Sequence, residues 1–219
     1  MPVTYTEWVQ SQGKDLPLLL KADQCTGKTF IVTGANTGIG YECARHLVSS
    51  QSARVILAVR DLNKGKAAKA SIEAETKRQD VVDVQKLDLT SFDSVKSFAS
   101  KMESGADRID AVIANAAVSN GSWLEAEGVE MCLTVNILSN FLLMALLAPQ
   151  IKAKRSSAES IPSFTFVGSI GTFLSPKPLL ADVNRNDIFK DMNDRSKWDS
   201  RLEDRYDTKS GSLLAHGDG

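Results

Sequence analysis

The sequence predicts an α/β protein built on a doubly wound parallel sheet, and three observations carry that expectation. Apolar, β-branched runs of strand length recur at residues 28–33, 54–59, 81–87, 109–115 and 163–168. Helical patterns fill every interval between them. The first junction, from strand to helix, is rich in glycine. Parallel neighbours need long crossovers, and right-handed crossovers of this kind wind helices onto both faces of one open sheet. The composition allows it: 219 residues, 42% apolar and 24% charged, suffice for one core and speak against disorder or a disulfide-stapled scaffold.

Each element has its own justification. Residues 1–27 read as an irregular N-terminal extension. Lys28 to Thr33 is a strand that turns into Gly34, Ala35, Asn36, Thr37, Gly38, Ile39 and Gly40, after which Cys43, Ala44, Leu47 and Val48 share one helix face. Arg54 to Val59 is a buried strand and Leu62 to Lys77 a helix, with Asp61 placed to cap it. Val81 to Leu87 is the third strand and Phe92 to Met102 an amphipathic helix. Ile109 to Asn115 is the fourth strand, Glu127 to about Ala153 a long helix, and Ser163 to Gly168 the fifth strand. Residues 170–205 read as a charged insertion, a solvated loop or short exposed helices, since about half of Asp182 to Asp207 is charged. Beyond Tyr206 there is one short candidate helix interrupted by Gly211. No composition break marks a boundary, so residues 1–219 are expected to form a single domain.

Several function classes are disfavoured. A net charge of −1 gives no global positive field, so neither nucleic acid nor acidic lipid is an expected partner. Met1 to Gly13 lacks the basic and apolar regions of a signal peptide. The apolar run from Val135 to Ile151 is broken by Asn136, Asn140, Pro149 and Gln150 and falls short of the ~20 residues that span a bilayer. Cys25, Cys43 and Cys132 are odd in number and widely spaced, the pattern of reduced thiols, so a cytoplasmic location is expected. With only His46 and His216, and no metal-ligand spacing, no metal site is expected.

The glycine turn is the first candidate site. Backbone N–H groups and a helix N-terminus converge there with partial positive charge, which suits a pyrophosphate. Gly34 would make the turn, Gly38 would remove a Cβ where a ligand approaches, and Gly40 would let helix and strand pack closely.

The spacing TGxxxGIG over Thr33 to Gly40 resembles the cofactor fingerprint of the short-chain dehydrogenase/reductase family, whose sheet is of the Rossmann type. Further matches follow in family order, from about Thr29 to Tyr206, with the closest similarity to members having Ala-x-Arg-Asp after strand two, including many fungal tailoring reductases. The resemblance implies that Gly34, Asn36, Thr37, Gly38, Ile39 and Gly40 hold the cofactor. Asp88 and Leu89 would meet the adenine, and Asn115 and Ala116 would close the site at the end of strand four. Asn136 would hold a catalytic water, and Ser169 would position the substrate. Trp123, Phe173 and Leu174 would be pocket walls or core.

Arg60, about 20 residues beyond the fingerprint, stands where a guanidinium would pair with the 2′-phosphate of NADP. In the family a Tyr-x-x-x-Lys pair handles the proton; here the chain reads Tyr206, Asp207, Thr208, Lys209, Ser210, with lysine at the third place. On an α-helix that swings the side chain by about 100°. Tyr206 is the candidate acid, with Lys209 and Ser169 as its helpers.

The family also continues past its tyrosine helix with further strands, so the sheet is expected to lack its last strands, and the oligomeric state is left open. The function implied is NADP-dependent reduction of a ketone or aldehyde on a small, secondary-type metabolite. The alternative is a redox-inactive descendant acting as a cyclase, an isomerase or a binding protein.

Overall fold

The computed structural model describes residues 5–11, 20–105, 108–154, 162–168 and 186–198. They belong to two compact units. The larger comprises Leu19–Ala117 and Thr134–Val167; the smaller comprises Met1–Leu18, Val118–Leu133 and Gly168–Gly219.

The larger unit holds a five-stranded, wholly parallel sheet of β1 (Thr29–Thr33), β2 (Arg54–Val59), β3 (Val82–Lys86), β4 (Ala111–Ala114) and β7 (Ser163–Phe166). Their order is β3-β2-β1-β4-β7. The chain therefore winds outward from β1 through β2 to β3, then returns to β4 on β1's other side. That reversal between β1 and β4 is the place where an open α/β sheet leaves a crevice beyond its strand ends. The central strands are buried throughout, as their β-branched runs predict: every residue of β1, and Val55 to Val59 of β2, is inside. The expected strand spans hold to within two residues at each end, and Arg54–Val59 matches outright.

Helices α3 (Gly38–Ser49) and α4 (Leu62–Thr76) pack on each other and on β1, β2 and β3. Helix α5 (Phe92–Ser104) packs on α7 (Ser139–Ala153) and on β3. Helix α3 buries Gly40, Ala44, Leu47 and Val48, a spacing of three to four residues that keeps one apolar stripe on the sheet. At the sheet's foot Asp110 is buried, accepting from the Thr29 N–H at 2.9 Å and pairing with Arg108 at 2.5 Å.

Four expectations need correction. The N-terminal extension is not wholly irregular, since α1 (Tyr5–Ser11) and α2 (Ala22–Cys25) are helical and Cys25 is fully buried. The long helix does not start at Glu127. Glu127 and Gly128, with φ of 57° and 73°, form a two-residue turn between β5 (Glu125–Ala126) and β6 (Val129–Glu130). The helix begins after it, at α6 (Met131–Leu133), where the Glu130 carboxylate accepts from the Leu133 N–H at 2.9 Å.

Residues 131–153 then run as one helix of 23 residues, long and apolar enough to cross a membrane by length and composition, which the interrupted Val135 to Ile151 run had concealed. Its Leu143, Leu147 and Ile151 are buried in the larger unit. Finally, the charged insertion is not all solvated. The short helix Ile188–Met192 is capped by Asp187 and buries Asp191, and Trp198 is 8% exposed.

None of Cys25, Cys43 and Cys132 is joined in a disulfide, and burial raises the thiol pKa of Cys25 and Cys43. Among the described residues no cluster of metal-ligating side chains exists.

Candidate functional site

The end of β1 runs directly into the turn Gly34–Thr37 and the first turn of α3. Gly34 takes φ +67°, and a Cβ there would lie 3.0 Å from the Cα of Ala116. Only glycine meets both demands. Gly38 takes φ +58°, yet a Cβ there would meet nothing within 4 Å. The space over Gly38 is thus an open cradle at the N-terminus of a three-turn helix. Thr37, the N-cap residue, makes no side-chain cap hydrogen bond, so its hydroxyl does not occupy the first-turn N–H groups. Ile39 beside it is 73% exposed.

Gly40 is buried for a different reason from the one its position suggests. A Cβ there would lie 2.5 Å from the Asn115 amide nitrogen and 2.7 Å from the Gly34 carbonyl, so it lets α3 close on the turn and on the end of β4 rather than on β1. Asn115 and Ala116 are held to Thr33 of β1. The Asn115 side-chain amide donates to the Thr33 carbonyl at 3.0 Å, and the Ala116 N–H donates to the Thr33 hydroxyl at 2.9 Å. The ends of β1 and β4 and the glycine turn therefore form one body at the crevice.

At the tip of β2, Arg60 and Asp61 are both exposed, and Asp61 is the N-cap of α4, accepting from the N–H groups of Asn63 at 2.8 Å and Lys64 at 3.1 Å. Those bonds, that of Lys64 foremost, hold the Asp61 carboxyl below its usual range. The division of labour expected from the sequence, Arg60 at the tip and Asp61 as cap, is the one observed.

After β3, Asp88 stabilises its own turn, accepting from the Thr90 N–H at 3.0 Å and hydroxyl at 2.7 Å. Its N–H is bonded to the Ser94 hydroxyl. Leu89 is 5% exposed, so its side chain is committed to the core.

Asn136 lies in a π-helical segment, Thr134–Leu138, that joins α6 to α7. Such widened turns occur preferentially at functional sites.

A family model described as short chain dehydrogenase matches residues 28–165. The chain belongs to the short-chain dehydrogenase/reductase family. This is a family of oxidoreductases, and the fold above is its fold.

Among relatives, short chain dehydrogenase/reductase dmxR8 of Cryptosporiopsis sp. is 40% identical over 184 residues, 83% of this chain and 56% of that protein. Short chain dehydrogenase atnD of Emericella nidulans is 41% identical over 181 residues, covering 82% and 56%. The chain thus spans little more than half the length of these relatives. Among solved structures, a short chain dehydrogenase from Shigella flexneri 2a complexed with NADP has a TM-score of 0.56 and 25% identity, over 69% of this chain and 62% of that one. A Sphingobium yanoikuyae short-chain dehydrogenase in complex with NADPH gives the same score and identity over 67% and 55%.

Of the residues expected from the sequence, the dehydrogenase fold gathers Gly34, Asn36, Thr37, Gly38, Ile39, Gly40, Asn115 and Ala116 at the end of β1 and β4. Ser169, Tyr206 and Lys209 lie outside the described residues, as do Phe173 and Leu174. Trp123 belongs to the smaller unit, where its indole N–H donates to Glu125 at 2.7 Å.

Three contributors were not anticipated. Thr33 ties the two strand ends. Ser139 donates its hydroxyl to the Leu89 carbonyl at 2.6 Å, and Asn140 donates its amide to the carbonyls of Val135 at 2.9 Å and Asn136 at 3.3 Å. Both are buried, so the inner face of α7 spends two polar side chains on the Asp88–Leu89 turn and on the π-segment. Only Asn140 had a local signal, its four-residue spacing from Asn136.

Proposed function

We propose that the chain is an NADP-dependent reductase of a ketone or aldehyde carried by a small, secondary-type metabolite, working in the cytosol. The observation that carries this reading is the open cradle over Gly38. It combines positive φ, open space for a Cβ and an uncapped helix N-terminus at the reversal between β1 and β4. A dinucleotide pyrophosphate fits that donor set. The NADP complexes among similar structures support the cofactor, and the odd number and wide spacing of the cysteines support the compartment.

In this reading the whole chain is one dinucleotide-binding domain. Residues 34–40 bind the pyrophosphate, Arg60 pairs with the 2′-phosphate, Asp88 orients the adenine, and Asn115 with Ala116 shapes the floor beside the ribose. The bound cofactor supplies hydride. Tyr206 gives a proton to the carbonyl oxygen, Lys209 lowers the phenol's pKa, Ser169 positions that oxygen, and Asn136 holds a water for proton return.

The test is a fluorescence titration with NADPH and NADH, followed by NADPH oxidation over a panel of ketones and aldehydes. NADPH should bind the more tightly, and Arg60→Ala should reduce a preference to which Arg60 contributes ~1.5–3 kcal/mol. Equal affinity for both cofactors in the unaltered protein would remove the assignment of Arg60. Tight NADPH binding without oxidation of any substrate would instead favour a redox-inactive descendant, the outcome that the Tyr206–Lys209 spacing would then explain.

A further inference from the structure

The tip of β2 carries more positive charge than Arg60 alone supplies. The β2–β3 register sets Lys86 opposite Val59, the residue before the tip. The Lys86 ammonium reaches across to the Arg60 carbonyl and hydrogen-bonds it, although the side chain is otherwise exposed. Lys64 follows on the first turn of α4. The one carboxylate among them, Asp61, has its Oδ1 engaged by the Asn63 and Lys64 N–H groups as the cap of α4, a different task from the ribose binding of an NAD-type acid.

We infer that Lys86 is a second cation reading the 2′-phosphate of NADP, acting beside Arg60 from the neighbouring strand. The inference rests on the proposed NADP reading. Both Lys64 and Lys86 lower the Asp61 pKa through space, which sets their charges within electrostatic reach of the tip. A 2′-phosphate brings nearly two negative charges to a place that offers one fixed guanidinium, a mismatch that a second, mobile ammonium corrects. The carbonyl of Arg60 is a neutral acceptor, so exchanging it for a phosphate oxygen converts an ordinary hydrogen bond into a charge-assisted one.

The experiment uses the adenosine half alone, which makes it independent of catalysis. Affinities for adenosine 2′,5′-bisphosphate and for 5′-AMP are measured by calorimetry on the full chain and on its Lys86→Met, Lys86→Gln, Lys86→Arg and Arg60→Ala variants, at low and at high salt.

The preference for the bisphosphate should fall about tenfold in Lys86→Met and Lys86→Gln and persist in Lys86→Arg, with 5′-AMP affinity held within about twofold. The salt dependence of the preference should also shrink when the charge is removed. Preference retained in Lys86→Gln, which keeps a donor for the Arg60 carbonyl, would reduce Lys86 to a clamp on the tip and overturn the inference. So would an equal loss of both ligands. No preference in the unaltered chain would remove the NADP reading itself, whereas a preference lost in Arg60→Ala but intact in Lys86→Met would remove Lys86 alone.

Discussion

Two alanine substitutions two residues apart should fail in opposite ways. At Gly38 a methyl group enters open space, so the protein loses only the cost of holding an L-residue at φ +58°, about 1–2 kcal/mol. That corresponds to roughly 2–8 °C in Tm for a chain of this size. The methyl then occupies the cradle, and displacing a pyrophosphate contact against it costs about 1–3 kcal/mol, or roughly five- to 150-fold in NADPH affinity.

At Gly40 the methyl would sit 2.5 Å from the Asn115 amide and 2.7 Å from the Gly34 carbonyl. Overpacking costs about 1–3 kcal/mol, and expulsion of the Asn115 amide from Thr33 adds about 1 kcal/mol. The sum, about 2–4 kcal/mol, predicts a fall of roughly 4–16 °C. Thermal melts of the cofactor-free protein and NADPH titrations by fluorescence separate the two effects. Gly38→Ala with NADPH affinity within about twofold of the original would place the phosphates elsewhere. Gly40→Ala with unchanged Tm would show that α3 can retreat from Asn115, and the packing argument would fail.

Ser139→Ala leaves the buried Leu89 carbonyl without its donor, so unfolding in urea should report a loss of about 1–3 kcal/mol, and, on the proposed adenine role of Asp88, weaker NADPH binding as the Asp88–Leu89 turn loosens. The Asp61 carboxyl is held low by its cap bonds, so its contribution to stability is complete above its ordinary value of 3.8 and is lost as pH falls through the lower folded value. Melts of Asp61→Asn should accordingly show a shallower acid transition below pH 3.8 than those of the unaltered chain. Tyr206→Phe should lower reductase turnover by ~10²–10⁴ while NADPH affinity stays unchanged, and robust turnover in that variant would displace Tyr206 as the acid.

What could be read from the sequence followed how local each cause was. Strands β1 and β2 announce themselves because a strand buried on both faces needs an unbroken apolar run, and the chain writes one at each place. The Asp61 cap was legible for the same reason, since its partners are two and three residues away.

The Glu127 turn was not. Glycine at 128 is tolerable in a helix, and the two positive φ values that make a hairpin are set by pairing between Glu125–Ala126 and Val129–Glu130. Thr33 and Ser139 were invisible because their partners lie 82 or 83 and 50 residues away, distances over which no spacing rule operates. The two units of the described chain likewise interleave along the sequence, so no composition break could mark them.

At the crevice two short motifs, distant in sequence, depend on each other. The glycine turn closes only if Gly40 lets α3 approach Asn115, and Asn115 stays only if its amide finds the Thr33 carbonyl. Gly34 in turn passes the Ala116 backbone with no room for a Cβ, while the Ala116 N–H holds the Thr33 hydroxyl. Thr33 is thus the hinge pin between the strand that presents the cradle and the strand that walls it, and it is fully buried. Valine there would keep the shape and the β-propensity yet leave the Ala116 N–H without its acceptor. The geometry of the cradle is therefore a property of the β1–β4 junction as much as of the glycines, which places cofactor binding and the folding of the central strands under the same few contacts.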